Sequence, residues 1–326
     1  MYGRAGRIVK NQEFVKPITK SKVPIRSLLA FQKHFPDEEA CYEHLFRVKW
    51  PEGFVCPKCG HTKCYKIRTR RLYQCAKCRH QASITVDTAM ERSHLPLGKW
   101  FPAIYLFAND KRGRSALSLA RELEIGYRAA WLMLHKIRNR MGERDFRYLL
   151  SGIVDLDDGF FGGEAKETAG KKPRRGRGTN KARLVMGLSK SRDGKKPLYA
   201  KAKVVPVLTG EEIAGFVLDH VDPEAALFTD AYKGNLGLGE LVQKHTMKVY
   251  AKEEPPEYLG WLHTILGNFK TAIRGTYHHV SQKHLQAYLD EQAFRLNRRF
   301  RPEELFSRTL AACLDGPPIT YAELTA

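Results

Sequence analysis

His263 and Lys270 stand seven residues apart in the stretch HTILGNFKTAIRGTYHH. On a helix that interval is two turns, so both side chains project from one face. A metal-capable imidazole beside a lysine suggests phosphate chemistry, with the lysine acting as a point charge. Carboxylates to match lie upstream. In SGIVDLDDGFFGGE a strand places Asp155 and Asp157 on one face while Val154 and Leu156 pack the other. In ALFTDAYKG, Asp230 closes a second short apolar strand. Each Asp taken singly reads equally well as a turn or capping residue. Jointly, a strand Asp, a distant strand-end Asp and a helix bearing a third ligand are what two-metal phosphoryl transfer needs. Two Mg²⁺ ions about 4 Å apart require oxygen ligands and a carboxylate that bridges them.

A second constellation is made of cysteines. Cys56-Pro-Lys-Cys59 and Cys75-Ala-Lys-Cys78 are separated by 15 residues, the pattern of a tetrahedral four-cysteine zinc ribbon. Four thiolates satisfy Zn²⁺ completely, so this site is expected to be structural. Cys41, Cys64 and Cys313 read as ordinary thiols.

Basic residues form the third group. Residues 115–141 read as a helix-turn-helix, with Leu119, Ala120 and Leu123 packing the first helix and Ala130, Leu134 and Ile137 the second. Arg128, Lys136, Arg138 and Arg140 are then expected on or near the outer face of a recognition helix. The stretch GKKPRRGRGTNKAR, with Arg174, Arg175 and Arg177, reads as an arm that orders on DNA or as a solvated basic loop.

The elements that must position these groups follow from the patterning. Residues 36–50 form a short helix with Cys41, Leu45 and Phe46 turned inward. Short apolar runs between 151 and 250 (GIVDL, ARLVMGL, LYAKAKVVPV, ALFTD, MKVYA) read as strands, interrupted by the helix EEIAGFVLDHV. The helix carrying His263 ends at a Gly-centred break over residues 275–278. Tyr277, His278 and His279 then lie in a loop, followed by a helix capped by Ser281 with Leu285, Tyr288, Leu289 and Leu296 inward. This predicts an N-terminal basic segment (1–50), a ribbon (51–90), a helical DNA-binding domain (91–150), an α/β catalytic domain (151–300) and a C-terminal tail (301–326) with one short helix.

The 326 residues carry 56 Lys+Arg against 35 Asp+Glu, a net charge of +21 that points to a polyanionic partner, most simply nucleic acid. A membrane-surface protein would need an amphipathic or lipid anchor, and a secreted one an apolar leader. Neither is found, so the expectation is a cytoplasmic protein, nucleoid-associated when bound.

These residues together resemble a known family. FPDEEACYEHLFRVKWPEGFVCPKCG, AAWLMLHKIR, DLDDGFFGGE, FTDAYKG and KTAIRGTYHHVSQKHLQAYLDEQAFRLNRR are similar to bacterial insertion-sequence transposases of the DDE superfamily, in the zinc-ribbon family called IS fifteen-ninety-five. The resemblance spans about Phe31 to Arg299. It implies an RNase H-like catalytic domain that cuts and joins double-stranded DNA with Mg²⁺ or Mn²⁺, working as a dimer or higher assembly. It places the catalytic positions at Asp157, Asp230 and His263, with Lys270 on phosphate. The superfamily's usual residue at the third position is Glu. Neutral imidazole is a poorer partner for Mg²⁺ and suits Mn²⁺ better. Glu257 and Glu291 are the acidic residues nearby, and Glu291 is expected to pair with Arg295 at i,i+4. Two other readings remain: a decayed or co-opted transposase that only binds DNA, and an RNase H-like nuclease of another kind.

Overall fold

The computed structural model describes residues 25, 27–162, 181–248 and 259–326. Helix α1 (Leu28–His34) is followed by α2 (Glu38–Lys49). The Asp37 carboxylate accepts the Ala40 amide at the start of α2. Glu38 and Glu39 occupy its first turn, and Arg47 and Lys49 its last, so charge complements the helix dipole at both ends. Cys41, Leu45 and Val48 are buried, and Phe46 packs on Trp50 and Tyr73. Strands β1 (Cys64–Ile67), β2 (Leu72–Cys75) and β3 (Gln81–Ala82) then form the small antiparallel sheet of the ribbon.

Helices α3 (Leu97–Asn109), α4 (Ala116–Leu123) and α5 (Tyr127–Phe146) follow. α3 has no capping side chain of its own. Glu38 reaches over from α2 and accepts the amides of Leu97 and Gly98. α4 and α5 pack as a helix-turn-helix through Leu119, Ala120, Leu123, Ala130, Leu134 and Ile137, all buried. Glu124 turns the chain in the left-handed region (φ 51°), and the Ile125 amide donates to the Ala120 carbonyl at 3.0 Å.

The second half is an α/β domain. Strands β4 (Ile153–Phe161), β5 (Ala182–Lys190) and β6 (Pro197–Val205) form an antiparallel meander. Helix α6 (Gly210–His220) then leads to β7 (Ala226–Asp230), and a 3₁₀ segment to β8 (Lys244–Lys248). The sheet order is β6-β5-β4-β7-β8, with β7 parallel to β4 and β8 parallel to β7, which is the RNase H-like arrangement. α6 packs one face. Helices α7 (Gly260–Tyr277) and α8 (Gln282–Asn297) pack the other. β8 begins earlier than the apolar run MKVYA suggests, because parallel pairing of Ala226 with Lys244 sets its register; residues 249–251 lie outside the described residues.

The free edge of β6 is not left open. Gln286 of α8 accepts the Val204 amide at 2.7 Å and donates to the Ala202 carbonyl at 2.8 Å. Asn297 does the same for the Ala200 amide and carbonyl, at 2.8 and 3.0 Å. Side-chain amides thereby replace the missing neighbour strand and block edge-to-edge association.

Three sequence expectations are corrected by the packing. Lys136 and Arg138 do not face solvent: α8 and the late helix α9 (Leu305–Cys313) cover α5, leaving them 6% and 1% exposed. Lys136 donates to the Glu91 carbonyl at 3.1 Å, and the Arg138 Nε lies 2.7 Å from Glu291. Arg140 is buried too, on the carbonyls of Asp315 and Pro317. Second, α7 does not break at Gly275. It continues to Tyr277 and stops at His278 (φ 58°), because the Tyr277 hydroxyl is anchored on the Glu291 carboxylate at 2.9 and 3.0 Å. Third, the chain's end is more than a tail. Phe306, Leu310, Ala312 and Cys313 of α9 join Phe31, Phe101 and Tyr105 in one core, and a further helix α10 (Tyr321–Thr325) follows.

Candidate active site

The acidic centre forms where β4 and β7 run side by side. Their parallel pairing ends at Leu156 with Thr229, so Asp157 and Asp230 emerge together as the next residues on adjacent strands. Oxygen atoms of Asp157, Asp158 and Asp230 lie within 4.8 Å of one another. Strand alternation alone sends Asp158 to the opposite side from Asp157. It nonetheless joins the group at the point where the pairing of β4 with β7 has ended. The signal for it in the sequence was the doubled Asp itself.

The Asp157 and Asp230 carboxylates are each oriented by a neighbour. The Asp158 amide donates to Asp157 Oδ1 at 2.8 Å. Asp230 Oδ1 accepts from Asn235 Nδ2 at 2.8 Å and from the Tyr232 amide at 3.3 Å. Asn235, 5% exposed, also donates to the Asp230 carbonyl, so it fixes main chain and side chain at once. The sequence reading passed over Asn235, although its place in DAYKGN marks it as a turn residue.

Helix α7 supplies the third side. Gly159 lets it approach: a Cβ there would lie 2.8 Å from Leu266 Cδ2 and 3.2 Å from Leu184 Cδ1. With the helix seated that close, His263 Nε2 comes to 3.6 Å from Asp157 Oδ2. Burial, then the Lys270 charge, hold the His263 pKa below the ordinary histidine value, against an opposing pull from Asp230. The imidazole is therefore neutral near pH 7, the form that can donate a lone pair to a metal. Lys270 stands about 10 Å further along the helix by its rise per residue, near enough for its charge to act on His263.

Asp155 shares the strand face with Asp157 but belongs to the interior. It is fully buried, with Lys190 Nζ 2.7 Å from its Oδ1, and burial raises its pKa to about 6. Glu291 is likewise structural. It pairs with Arg295 at 3.0 Å, as its i,i+4 spacing suggests, and with Arg138 and Tyr277 as well. Glu257, Arg174, Arg175 and Arg177 lie outside the described residues. Arg128, at the start of α5, is exposed.

The donor sets fit two kinds of metal. Three carboxylates with an imidazole at their rim form a hard, largely oxygen site of the kind that suits Mg²⁺ or Mn²⁺. In the ribbon, Cys56, Cys59, Cys75 and Cys78 converge, with Sγ–Sγ separations of 3.6 Å for Cys56–Cys78 and Cys59–Cys75. A Zn–S bond of about 2.3 Å implies a tetrahedral edge of about 3.8 Å, so the thiols are already placed for zinc. Both knuckles turn alike: the Gly60 amide donates to the Cys56 carbonyl at 2.9 Å and the Arg79 amide to the Cys75 carbonyl at 3.1 Å.

Residues 36–81 match the transposase zinc-ribbon domain and residues 149–297 match the ISXO2-like transposase domain. The chain belongs to this transposase family. The two matches fall on the ribbon and on the sheet with its acidic centre. Among curated relatives, an uncharacterized protein in transposable element ISH50 of Halobacterium salinarum is 24% identical over 213 residues, 62% of this chain and 70% of that protein. Among solved structures, the pre-cleavage Mos1 transpososome is 13% identical, covering 68% of this family member and 80% of that chain with a TM-score of 0.26. The Mos1 strand transfer complex is 14% identical over 68% and 79%, with a TM-score of 0.25. Among the described residues of this family member, no helix is long and apolar enough to cross a membrane.

Proposed function

We propose that the protein is a DDE-type transposase that binds the ends of its own element and cuts and joins DNA with a divalent metal. The observation that carries this reading is the meeting of Asp157, Asp158 and Asp230 from two adjacent strands, with His263 of the flanking helix 3.6 Å from Asp157. Mg²⁺ or Mn²⁺ bound there would supply activation of the attacking oxygen and stabilisation of the leaving oxygen. Asp157 occupies the central position, within reach of Asp230 on one side and His263 on the other. Asp158 adds an oxygen, Asn235 holds Asp230 in place, and Lys270 neutralises phosphate charge.

In the first reaction a water oxygen bonds to phosphorus, the bond from phosphorus to the 3′ oxygen breaks, and that oxygen leaves as a hydroxyl. In the second, this 3′-hydroxyl attacks a target phosphate in line and expels the target's own 3′ oxygen. Double-stranded DNA is thus both substrate and partner. Two ends must meet, so the acting form on DNA is at least a dimer. The helix-turn-helix and the ribbon would grip the ends, with Arg128 at the exposed start of α5; zinc has a structural role.

Purified protein with Mg²⁺ or Mn²⁺ should nick and join duplexes carrying its element ends, and Asp157→Ala should abolish both. Equal activity in that variant would overturn the site assignment. His263, in place of a carboxylate, favours a second reading, a transposase retained for DNA binding alone. Specific end binding with no strand transfer in either metal is its signature.

A further inference from the structure

Helix α7 has a face that packing does not explain. Leu262, Ile265, Leu266, Phe269 and Ile273 form its buried side. Its exposed side carries Thr264, Gly267, Asn268, Thr271, Arg274 and Gly275, and the helix contains no acidic residue. His263, Gly267, Lys270 and Arg274 follow one another at alternating four- and three-residue steps, so they make one stripe that starts at the acidic centre. Lys181, just before β5, lies near enough for its charge to act on Lys270. Burial depresses the Lys270 pKa first, and the nearby charges of Lys181 and Arg274 depress it further. Three cations gathered on one side of a helix repel one another, and an anion lying among them relieves that repulsion.

The glycines point the same way. Gly267 and Gly275 sit inside an α-helix, where glycine is less stable than alanine. Yet a Cβ at either position would meet nothing within 4 Å among the described residues. Among the described residues no neighbour requires them to be bare. A bare backbone on an exposed, basic face admits close approach by another molecule.

We propose that Lys181, Lys270 and Arg274 line a track along α7 that holds the sugar-phosphate backbone of a DNA strand leading away from the reacting phosphate, and that Gly267 keeps this track clear. By helix rise, Lys270 and Arg274 stand about 10 and about 16 Å from His263 along the axis, so the track serves phosphates beyond the one being cut. The inference rests on the transposase reading for its substrate, and it adds Lys181, Arg274 and Gly267 to the residues that act on it.

The test is duplex binding by the full chain, followed by fluorescence anisotropy from 50 to 300 mM salt, alongside thermal melting and cleavage assays. Arg274→Ala and Lys181→Ala should each reduce the slope of log K against log salt by about 0.9, equally for end and unrelated duplexes, with little change in Tm. Gly267→Gln should raise Tm by about 2 °C, since it adds helix propensity in open space, while weakening binding and slowing cleavage. An unchanged salt slope in both charge variants overturns the track. A Gly267→Gln protein that melts lower, or that melts higher and still binds and cleaves as well as the parent, overturns the role of the glycine. The salt slope needs no cleavage, so it decides the track even where loss of strand transfer sinks the catalytic reading.

Discussion

At the scale of single residues, charge state separates the site from the scaffold. His263 is kept neutral by burial and by Lys270, so it is available as a ligand near pH 7. Nitrogen is nonetheless a weaker donor to Mg²⁺ than to Mn²⁺. His263→Glu is therefore expected to raise the ratio of cleavage rates in Mg²⁺ over Mn²⁺ several-fold. A ratio that does not move would place His263 outside the metal's reach. Asp290 illustrates the opposite case. Burial, with a further push from Asp145, lifts its pKa to about 7 despite a 2.8 Å hydrogen bond from Gln286 and the charge of Lys201. The folded protein holds a proton there that the unfolded chain releases near pH 4. Asp290 thus favours folding at low pH, and this contribution is lost as pH rises from about 4 through about 7. Asp290→Asn should melt increasingly above the parent from pH 5 to pH 8; a constant difference in Tm across that range would refute this.

At the scale of elements, a buried polar cluster ties the helix-turn-helix to the two helices α7 and α8 of the α/β domain. Glu291 of α8, fully buried, accepts from Arg138 of α5 at 2.7 Å, from Arg295 at 3.0 and 3.1 Å, and from Tyr277 at the end of α7. The Tyr277 hydroxyl also accepts the Arg114 amide, at the start of the α4 region, at 3.2 Å. Arg138 lies 4.0 Å over the Tyr288 ring. Burial opposes the Arg138 charge and Glu291 more than restores it, so its pKa stays above the ordinary value. Removing one partner leaves the others charged and unpaired in the interior. Glu291→Ala should lower unfolding free energy by about 3–5 kcal/mol in denaturant titration. A loss below about 1 kcal/mol would mean that water, rather than Glu291, balances the two arginines.

At the scale of the whole molecule, the ribbon and the sheet belong to different cores. Cys56 and Cys75 are buried with Trp50, Phe54, Tyr73 and the helices of the N-terminal half, whereas the five-stranded sheet is packed by two clusters of its own. Stripping zinc should therefore lower the melting of the N-terminal half by several degrees and weaken end binding, with the sheet's transition nearly unmoved in calorimetry. Coincident loss of both transitions would show that the α5–α8 seam couples the halves more strongly than their separate cores suggest. With a net charge of +21, any DNA binding is expected to weaken steeply with salt, so affinities should be compared at one ionic strength.

The sequence by itself marked the cysteines of the ribbon, the aspartates of the acidic centre and their order along the chain. Cysteine spacing marked the ribbon, alternating apolar runs marked β4 and β7 with Asp157 and Asp230, and the seven-residue step placed His263 and Lys270 on one helix face. These signals are local, because a ligand pair in a turn or two residues on one helix face need no distant partner. Tertiary structure alone decided which charges stay in water. The basic side of α5 reads as a recognition surface, yet α8 and α9 bury Lys136, Arg138 and Arg140 against Glu91, Glu291 and Asp315. It also drew Asp158 into the acidic centre and turned Glu291 from a nearby carboxylate into a buried anchor. Periodicity shows which residues share a face, but what covers that face is set by distant parts of the chain, where burial is tolerated because Lys136, Arg138 and Arg140 each find a polar partner 45, 153 and 175 positions away.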